Sequence, residues 1–297
     1  MADSNPIVNK NRITHIVSLE VVEKAEKALK ALGFKSKADF AKSQLLAYAT
    51  ISDFFQCHPI KLDCFDKICT SLGLNWQEVA QIQLHEPLNY LKGNEKWHLV
   101  REIVEQPVKG RDLRNKNLSD ADLNKADLSF AKLFCADLSN TDLSSANLLH
   151  ANMFRADLSC AGLSGALLVC AVMTHAILIR ADLSGANMFR INLSSANLSN
   201  AILTGADLTG ANLSDAILTD ANLIGASLRG VVLRSADLSS ADLSSADLSG
   251  ADLSAADLSN ITVKNTRFGT NVGLTLNMTL HLERGGAIFD ESSDNCF

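Results

Sequence analysis

From Leu113 to Phe268 every fifth residue is apolar: 32 positions without a gap, 27 of them Leu. Two residues before each, from Arg111 to Thr266, stands Ala in 25 of the 32 cases. The stretch SADLSSADLSSADLSGADLSAADLSN at 235–260 shows the pattern at its plainest. A step of five fits neither regular element. On an α-helix it advances about 140° beyond a full turn, so the leucines would visit every face and form no stripe. On a flat strand an odd step sends successive leucines to opposite sides. One arrangement keeps Leu238, Leu243, Leu248, Leu253 and Leu258 together. The chain corners once per five residues, always in the same sense, with Leu and Ala inside and Asp, Ser and Ser outside. Coils of that kind stack into a solenoid.

The outward residues indicate the number of sides. Gly recurs at 165, 185, 205 and 225, and again at 210, 230 and 250. Phe134 and Phe154 are one such interval apart, as are Leu149, Val169 and Phe189. An interval of 20 residues means four segments per coil, and Gly at a corner suits a turn whose third residue takes a positive φ. The segments then make about eight coils, a column of roughly 38 Å at the usual strand spacing. Pro is absent from 108 to 297, as expected if each coil donates backbone N–H groups to the next.

The motif A-[DN]-L-[ST]-x, held in unbroken phase over about 111–268, resembles the pentapeptide-repeat family. The resemblance implies a mainly β solenoid, a right-handed quadrilateral β-helix of about eight coils, preceded by a small all-α domain and closed by a short C-terminal cap. The interior is narrow where Ala stands, so Thr141, Ile191, Val231 and Ile261 predict slightly swollen coils. In the ending TRFGTNVGLTLNMTLHLERGGAIFD, Leu274, Leu276, Met278, Leu280 and Leu282 alternate, which by itself reads as a strand. The family's usual ending implies instead an Asn-x-Gly turn, a short helix and a segment folding back.

Residues 1–110 lack the repeat. The expected division is a helical domain over 1–80, a connecting segment over 81–110, the repeats over 111–268, and a cap and tail over 269–297. LEVVEKAEKALKAL at 19–32 predicts an amphipathic helix ended by Gly33. The turn after Ser43, the run at 47–56 and the F-x-x-I-C-x-x-L-x-L-x-W run together resemble a helix-turn-helix. FFQCHPIKLDCFDKICTSLGLNWQEVA, more narrowly, is similar to an N-terminal module of cyanobacterial signalling proteins. As a DNA reader it is poorly equipped: AYATISDFFQ holds no Lys or Arg, and residues 1–110 carry 14 Lys/Arg against 13 Asp/Glu. A docking or dimerisation module is the plainer expectation.

The chain has 297 residues and a net charge of −6, which disfavours nucleic acid as a partner. MADSNPIVNK has no apolar leader, and ALLVCAVMTHAILI at 166–179 is too short to span a membrane. Seven scattered Cys predict reduced thiols in a cytoplasm. Cys64 and Cys69, five apart on a predicted helix, do not share one face and make no metal site. The repeated Asp predict a uniform solvated wall, the opposite of the unequal carboxylate environments that acid–base catalysis needs. No catalytic, cofactor or metal site is expected, and no enzyme.

Departures from Asp/Asn and Ser/Thr on the outer wall concentrate between 130 and 190. With four segments per coil, Leu149, Val169 and Phe189 stack on one side, Phe134 and Phe154 on the next, and Phe130, Leu167 and Val172 lie near the shared corner with Arg155 and Arg190. Ile177, Ile179 and Arg180 lie further round. An exposed apolar patch with Arg predicts a partner-binding wall. The expected function is a non-enzymatic protein–protein interaction or regulatory scaffold, monomeric or homodimeric. The resemblance implies a role in cyanobacterial developmental regulation. The alternatives are a DNA-mimicking gyrase-binding protein, against which stands the modest balance of 16 Asp and 12 Lys/Arg over 111–268, and a DNA-binding regulator acting through the N-terminal domain.

Overall fold

A computed structural model describes residues 14–15, 19–55, 60–74 and 92–289. The chain divides into two compact units, Met1–Glu95 and Lys96–Phe297.

Among its described residues the first unit is helical apart from one two-residue antiparallel pair. Its helices are α1 (Leu19–Ala31), α2 (Lys37–Gln44), α3 (Tyr48–Phe55) and α4 (Leu62–Ser71), and β1 (Thr14–His15) pairs with β2 (Ile60–Lys61). The capping signals explain the breaks. Gly33 takes φ 81° after α1, and the Ser36 hydroxyl accepts the Asp39 N–H at 3.0 Å to start α2. Phe40, Leu46, Ile51, Phe54, Phe65 and Ile68 are buried together. Although separated on α4, Cys64 and Cys69 are both buried, so more than one side of this helix is covered. Burial first, and then the neighbouring Asp66, pushes the Cys69 thiol up to about 12. Of the predicted signalling-protein module at 54–80, residues 56–59 and 75–80 lie outside the described residues.

The second unit is the solenoid with its two ends. Parallel bridges join each residue just before a central position to the one twenty further on, from Asp112↔Lys132 to Asp252↔Val272. Each coil therefore has four sides, and each side is too short for more than a single bridge. Central residues and the Ala positions are buried from Leu118 to Leu253, whereas Arg111 and Lys116 in the first coil and Ala256, Leu258 and Ile261 in the last are partly or fully uncovered.

In a repeat with Asp or Asn before the central Leu every amide has a partner, and this accounts for the motif. Take the segment Ala136-Asp137-Leu138-Ser139-Asn140. The Ala136 N–H closes the preceding turn on Leu133 O at 3.1 Å. The Asp137 N–H goes back one coil to Lys116 O at 2.9 Å, and those of Leu138 and Asn140 go forward to Asp157 O and Ser159 O at 2.7 and 2.9 Å. The remaining amide, that of Ser139, is taken by the Asp137 carboxylate at 3.1 Å, and the Ser139 hydroxyl donates to the same oxygen at 2.6 Å. This is an Asx turn. The repeat thus needs Asp or Asn before each Leu to satisfy the one amide that the ladders cannot reach. The fifth residue sits at the corner with positive φ at every turn, whether Gly or not: Arg155 at 54° and Ser240 at 61° beside Gly185 at 62°. The recurrence of Gly thus marks tolerance of a strained corner common to all four sides.

Non-Ala inner positions have local explanations. Thr141 and Thr266 donate their hydroxyls to Leu118 O and Leu243 O at 2.9 and 2.7 Å. Arg111 stands where no earlier coil exists, and its guanidinium binds Glu102 Oε1 at 2.6 Å and Gln106 O at 2.7 Å on and just beyond α5 (Lys92–Glu105). From Lys96 onward α5 covers the first coil, burying Val100 and Ile103, and the largely buried Lys96 Nζ donates to Ser119 Oγ at 3.3 Å. At the other end the alternating leucines form a helix, α6 (Leu276–Arg284), capped by Thr275. The strand reading of 274–282 fails because only Leu282 of this helix is buried, so the alternation has no sheet face to serve. β3 (Arg267–Phe268) then pairs in parallel with β4 (Ile288–Phe289), and Phe268 and Phe289 stack at 5.1 Å. A side chain at Gly273 would place Cβ 2.4 Å from Ser254 N, so the cap closes there only with Gly.

Candidate functional site

The ladders fix where each outward residue lies. Take the side through Leu148 and the side after it through Met153. On the first, Leu149, Val169 and Phe189 follow one another coil by coil, joined through the bonds Phe130 N–H to Leu149 O, His150 N–H to Val169 O and Cys170 N–H to Phe189 O at 2.8 to 3.0 Å. The corner column between the two sides is therefore Phe130, His150, Cys170, Arg190. On the second side Phe134 and Phe154 are neighbours, since the Cys135 N–H reaches Phe154 O at 2.9 Å. Leu167 bridges Asn147 and Asn187, and Val172 bridges Asn152 and Asn192. The ten residues singled out by sequence share these two adjacent sides and their corners.

Their side chains touch along the columns. Phe130 stacks on His150 at 5.1 Å, and Phe154 meets His175 edge-on at 5.8 Å. Arg155 lies over the Phe154 ring and Arg190 over the Phe189 ring, each at 5.1 Å. Exposure is uneven. Phe130 is 48% exposed and Leu167 36%, while Phe134, Leu149, Phe154, Val169, Val172 and Phe189 are half-buried by the coils above and below. The wall is a shallow apolar relief with two arginines lying on it.

The sequence contains a sharper signal than the patch. In the coil 161–180 the four Asx positions are Gly162, Leu167, Val172 and Ile177. None has an oxygen to accept the amide two residues on. The coils on either side carry Asp142, Asn147, Asn152 and Asp157 below and Asp182, Asn187, Asn192 and Asn197 above. One coil has given up its four local caps for an apolar belt, interrupted only at Gly162. Ile177 is 39% exposed. The run 166–179 is too short for a membrane span; its place in the repeat is what distinguishes it. Exposed Ile202, Ile217 and Ile224, at 42, 40 and 37%, lie on the other two sides and are not among the residues that the sequence singles out.

Elsewhere the wall is electrostatically quiet and structural. Hydrogen bonds from Ser254 and the Arg234 guanidinium hold the Asp252 carboxyl near 2. Those from Ser239 and Thr219 lower that of Asp237. Carboxylates held ionised in this way by their own turns are caps, the opposite of a proton-transferring pair. Among the described residues no group of three His, Cys, Asp or Glu could hold a metal ion, and no helix is long and apolar enough to cross a membrane.

A column of four-sided coils with an Asx cap beside each central Leu defines a class of solenoid. The model for Pentapeptide repeats matches in eight copies between residues 109 and 268, more than half of the chain. The chain belongs to the pentapeptide-repeat family, whose fold is a right-handed quadrilateral β-helix. Among solved structures it is similar to the pentapeptide repeat protein Rfr23 from the cyanobacterium Cyanothece 51142, with 44% identity over 30% of this chain and 62% of that one, TM-score 0.30. It is also similar to HetL from the cyanobacterium Nostoc sp. strain PCC 7120, a pentapeptide repeat protein involved in heterocyst differentiation regulation, with 34% identity over 54% of this chain and 83% of that one, TM-score 0.28. QnrB1, a plasmid-mediated fluoroquinolone resistance protein, matches at 19% identity over 62% of this chain and 91% of that one, TM-score 0.33. No curated protein matches.

Proposed function

We propose that this protein is a non-enzymatic interaction scaffold of the cytoplasm, in which the pentapeptide-repeat rod presents a partner-binding wall and the N-terminal helical domain serves as an adaptor. The observation that carries the proposal is the belt at 161–180. Outward Leu167, Val172 and Ile177 displace the caps kept by the coils above and below, and they continue into the aromatic relief of Phe130, Phe154 and Phe189. Single losses of the cap are scattered elsewhere, at Lys132, Ile202, Ile217, Ser227 and Val232, but only the coil 161–180 has lost all four. That concentration in one coil fits an interface, where apolar and aromatic side chains supply most of the binding energy.

Developmental regulation of the cyanobacterial kind is part of this proposal and rests on the resemblance of the repeats. A gyrase-directed, DNA-mimicking role has less support, because Arg155, Arg180 and Arg190 interrupt any continuous negative stripe. Affinity capture from native lysate with wild type and with the Phe130→Ser, Phe154→Ser, Phe189→Ser triple variant tests the proposal. Partners should be lost with the variant while its circular dichroism is unchanged. Recovery of the same partners by both would refute the wall. Parallel assays of gyrase supercoiling and of DNA retention at physiological salt should show no effect; a positive result would move the function to the corresponding alternative.

A further inference from the structure

The same wall has a charge pattern that specifies its partner, provided that it is an interface at all. The two sides carrying the aromatic relief, at 127–135, 147–155, 167–175 and 187–195, contain a single carboxylate, Asp127 at the lower edge. They contain Lys132, Arg155 and Arg190, all exposed, with His150 and His175. The other two sides of these coils carry Asp137, Asp142, Asp157 and Asp182 against Arg180. Charge is thus segregated around the rod axis in a chain whose net charge is −6, and the cationic half coincides with the aromatic half.

Arg155 and Arg190 lie over Phe154 and Phe189. Asp127, the one carboxylate on these two sides, is taken up by the Ser129 amide at 3.0 Å and the Asn147 side chain at 3.1 Å. The rings restrain both guanidinium groups on the wall through cation–π contacts at 5.1 Å, and a restrained guanidinium favours binding a carboxylate in a bidentate manner. Val172 lies on the side between the two arginine corners and Leu167 on the adjoining side, and both call for apolar contact. A polyanion such as nucleic acid fits less well. Three cations over four coils would release few counterions, and the acidic remainder of the rod repels phosphates.

We propose that the partner docks on these two sides through an acidic protein segment carrying apolar anchors. Four coils at about 4.8 Å per step occupy roughly 19 Å, which a helix of about 13 residues would cover.

The full-length chain can be panned against displayed random 16-residue peptides, with the Phe130→Ser, Phe154→Ser, Phe189→Ser variant for subtraction. Should that variant misfold, the surface double variant Arg155→Glu, Arg190→Glu takes its place. Peptides that depend on the wall should be enriched in Asp and Glu together with Leu, Phe or Trp. Their affinity should fall at least tenfold in Arg155→Glu, Arg190→Glu and stay within twofold in Arg180→Glu, on an acidic side. Wall-dependent peptides that are neutral or basic, or that ignore the charge reversal, would overturn the acidic partner and leave the interface standing. Absence of any wall-dependent peptide would remove the interface itself. Tighter wall-dependent binding of a 16-nucleotide oligothymidylate than of the best peptide would overturn the choice of protein over nucleic acid.

Discussion

The coils 161–180 and 241–260 have nearly the same interior and opposite exteriors. Inside, Ala161, Leu163, Ala166, Leu168, Ala171, Met173, Ala176 and Leu178 answer to Ala241, Leu243, Ala246, Leu248, Ala251, Leu253, Ala256 and Leu258. Outside, Gly162, Leu167, Val172 and Ile177 replace Asp242, Asp247, Asp252 and Asp257. In this fold shaft and wall are therefore written in separate letters. The later coil keeps the caps and offers a plain surface. The earlier one keeps the shaft and gives up caps, each contributing about 0.5–1.5 kcal/mol where water does not replace it. A loss of local stability without loss of the fold is what selection for a surface leaves behind.

The comparison breaks first at the shaft. Leu178→Asp, at a site with no exposure, should abolish cooperative unfolding, a cost above about 4 kcal/mol from an unpaired buried charge. Ile177→Asp one residue earlier should leave the urea midpoint unchanged or raised, because it restores a cap. Similar damage from both would mean that the wall is part of the core. Next come the glycines. Gly273→Ala, with φ 91° and Cβ 2.4 Å from Ser254 N, should detach the cap at a cost of about 1–3 kcal/mol. Gly225→Ala meets no atom within 4 Å and should cost only the left-handed strain, about 1 kcal/mol. Thermal unfolding of the two variants would separate close approach from backbone conformation.

Smaller again is the loss of a single Asx cap. Asn197→Ala orphans the Ser199 amide that now donates at 3.0 Å and should cost about 1 kcal/mol by urea titration. The gentlest effect is that of pH. Asp252 and Asp112, the latter bonded to Arg114, have carboxyls held near 2, below the unfolded value near 4. Their contribution is complete above pH 4 and declines as the pH falls toward 2. Asp252→Asn should flatten this acid limb, whereas Leu167→Asn, on a side without a titrating cap in that coil, should leave its slope unaltered.

Much of the fold is legible in the letters because a period of five admits so few geometries. The twenty-residue recurrence of Phe134 and Phe154, or of Leu149, Val169 and Phe189, places neighbours that the ladders join. The role of Asp is not legible. An outward carboxylate repeated beside Leu looks like solvated decoration until the backbone amides are counted and that of Ser139 is found to need Asp137. For the same reason the belt at 162, 167, 172 and 177 reads as a merely apolar run. Arg111 has no interpretation at an Ala position until its partner Glu102 is seen on a helix outside the repeat. The strand-like alternation of Leu274 to Leu282 misleads because periodicity alone cannot tell which side chains find a core.

The most direct measurement is the urea unfolding midpoint of the chain bearing Leu167→Asn, Val172→Asn and Ile177→Asn together. Asn already stands one coil away on both sides of the first two positions, and Asp157 and Asn197 flank the third. If shaft and wall are separate, the three restored caps raise the midpoint with the circular dichroism unchanged, and binding of wall-selected peptides is lost. A lowered midpoint would show that the apolar belt holds the rod together, and the distinction between shaft and wall would fall.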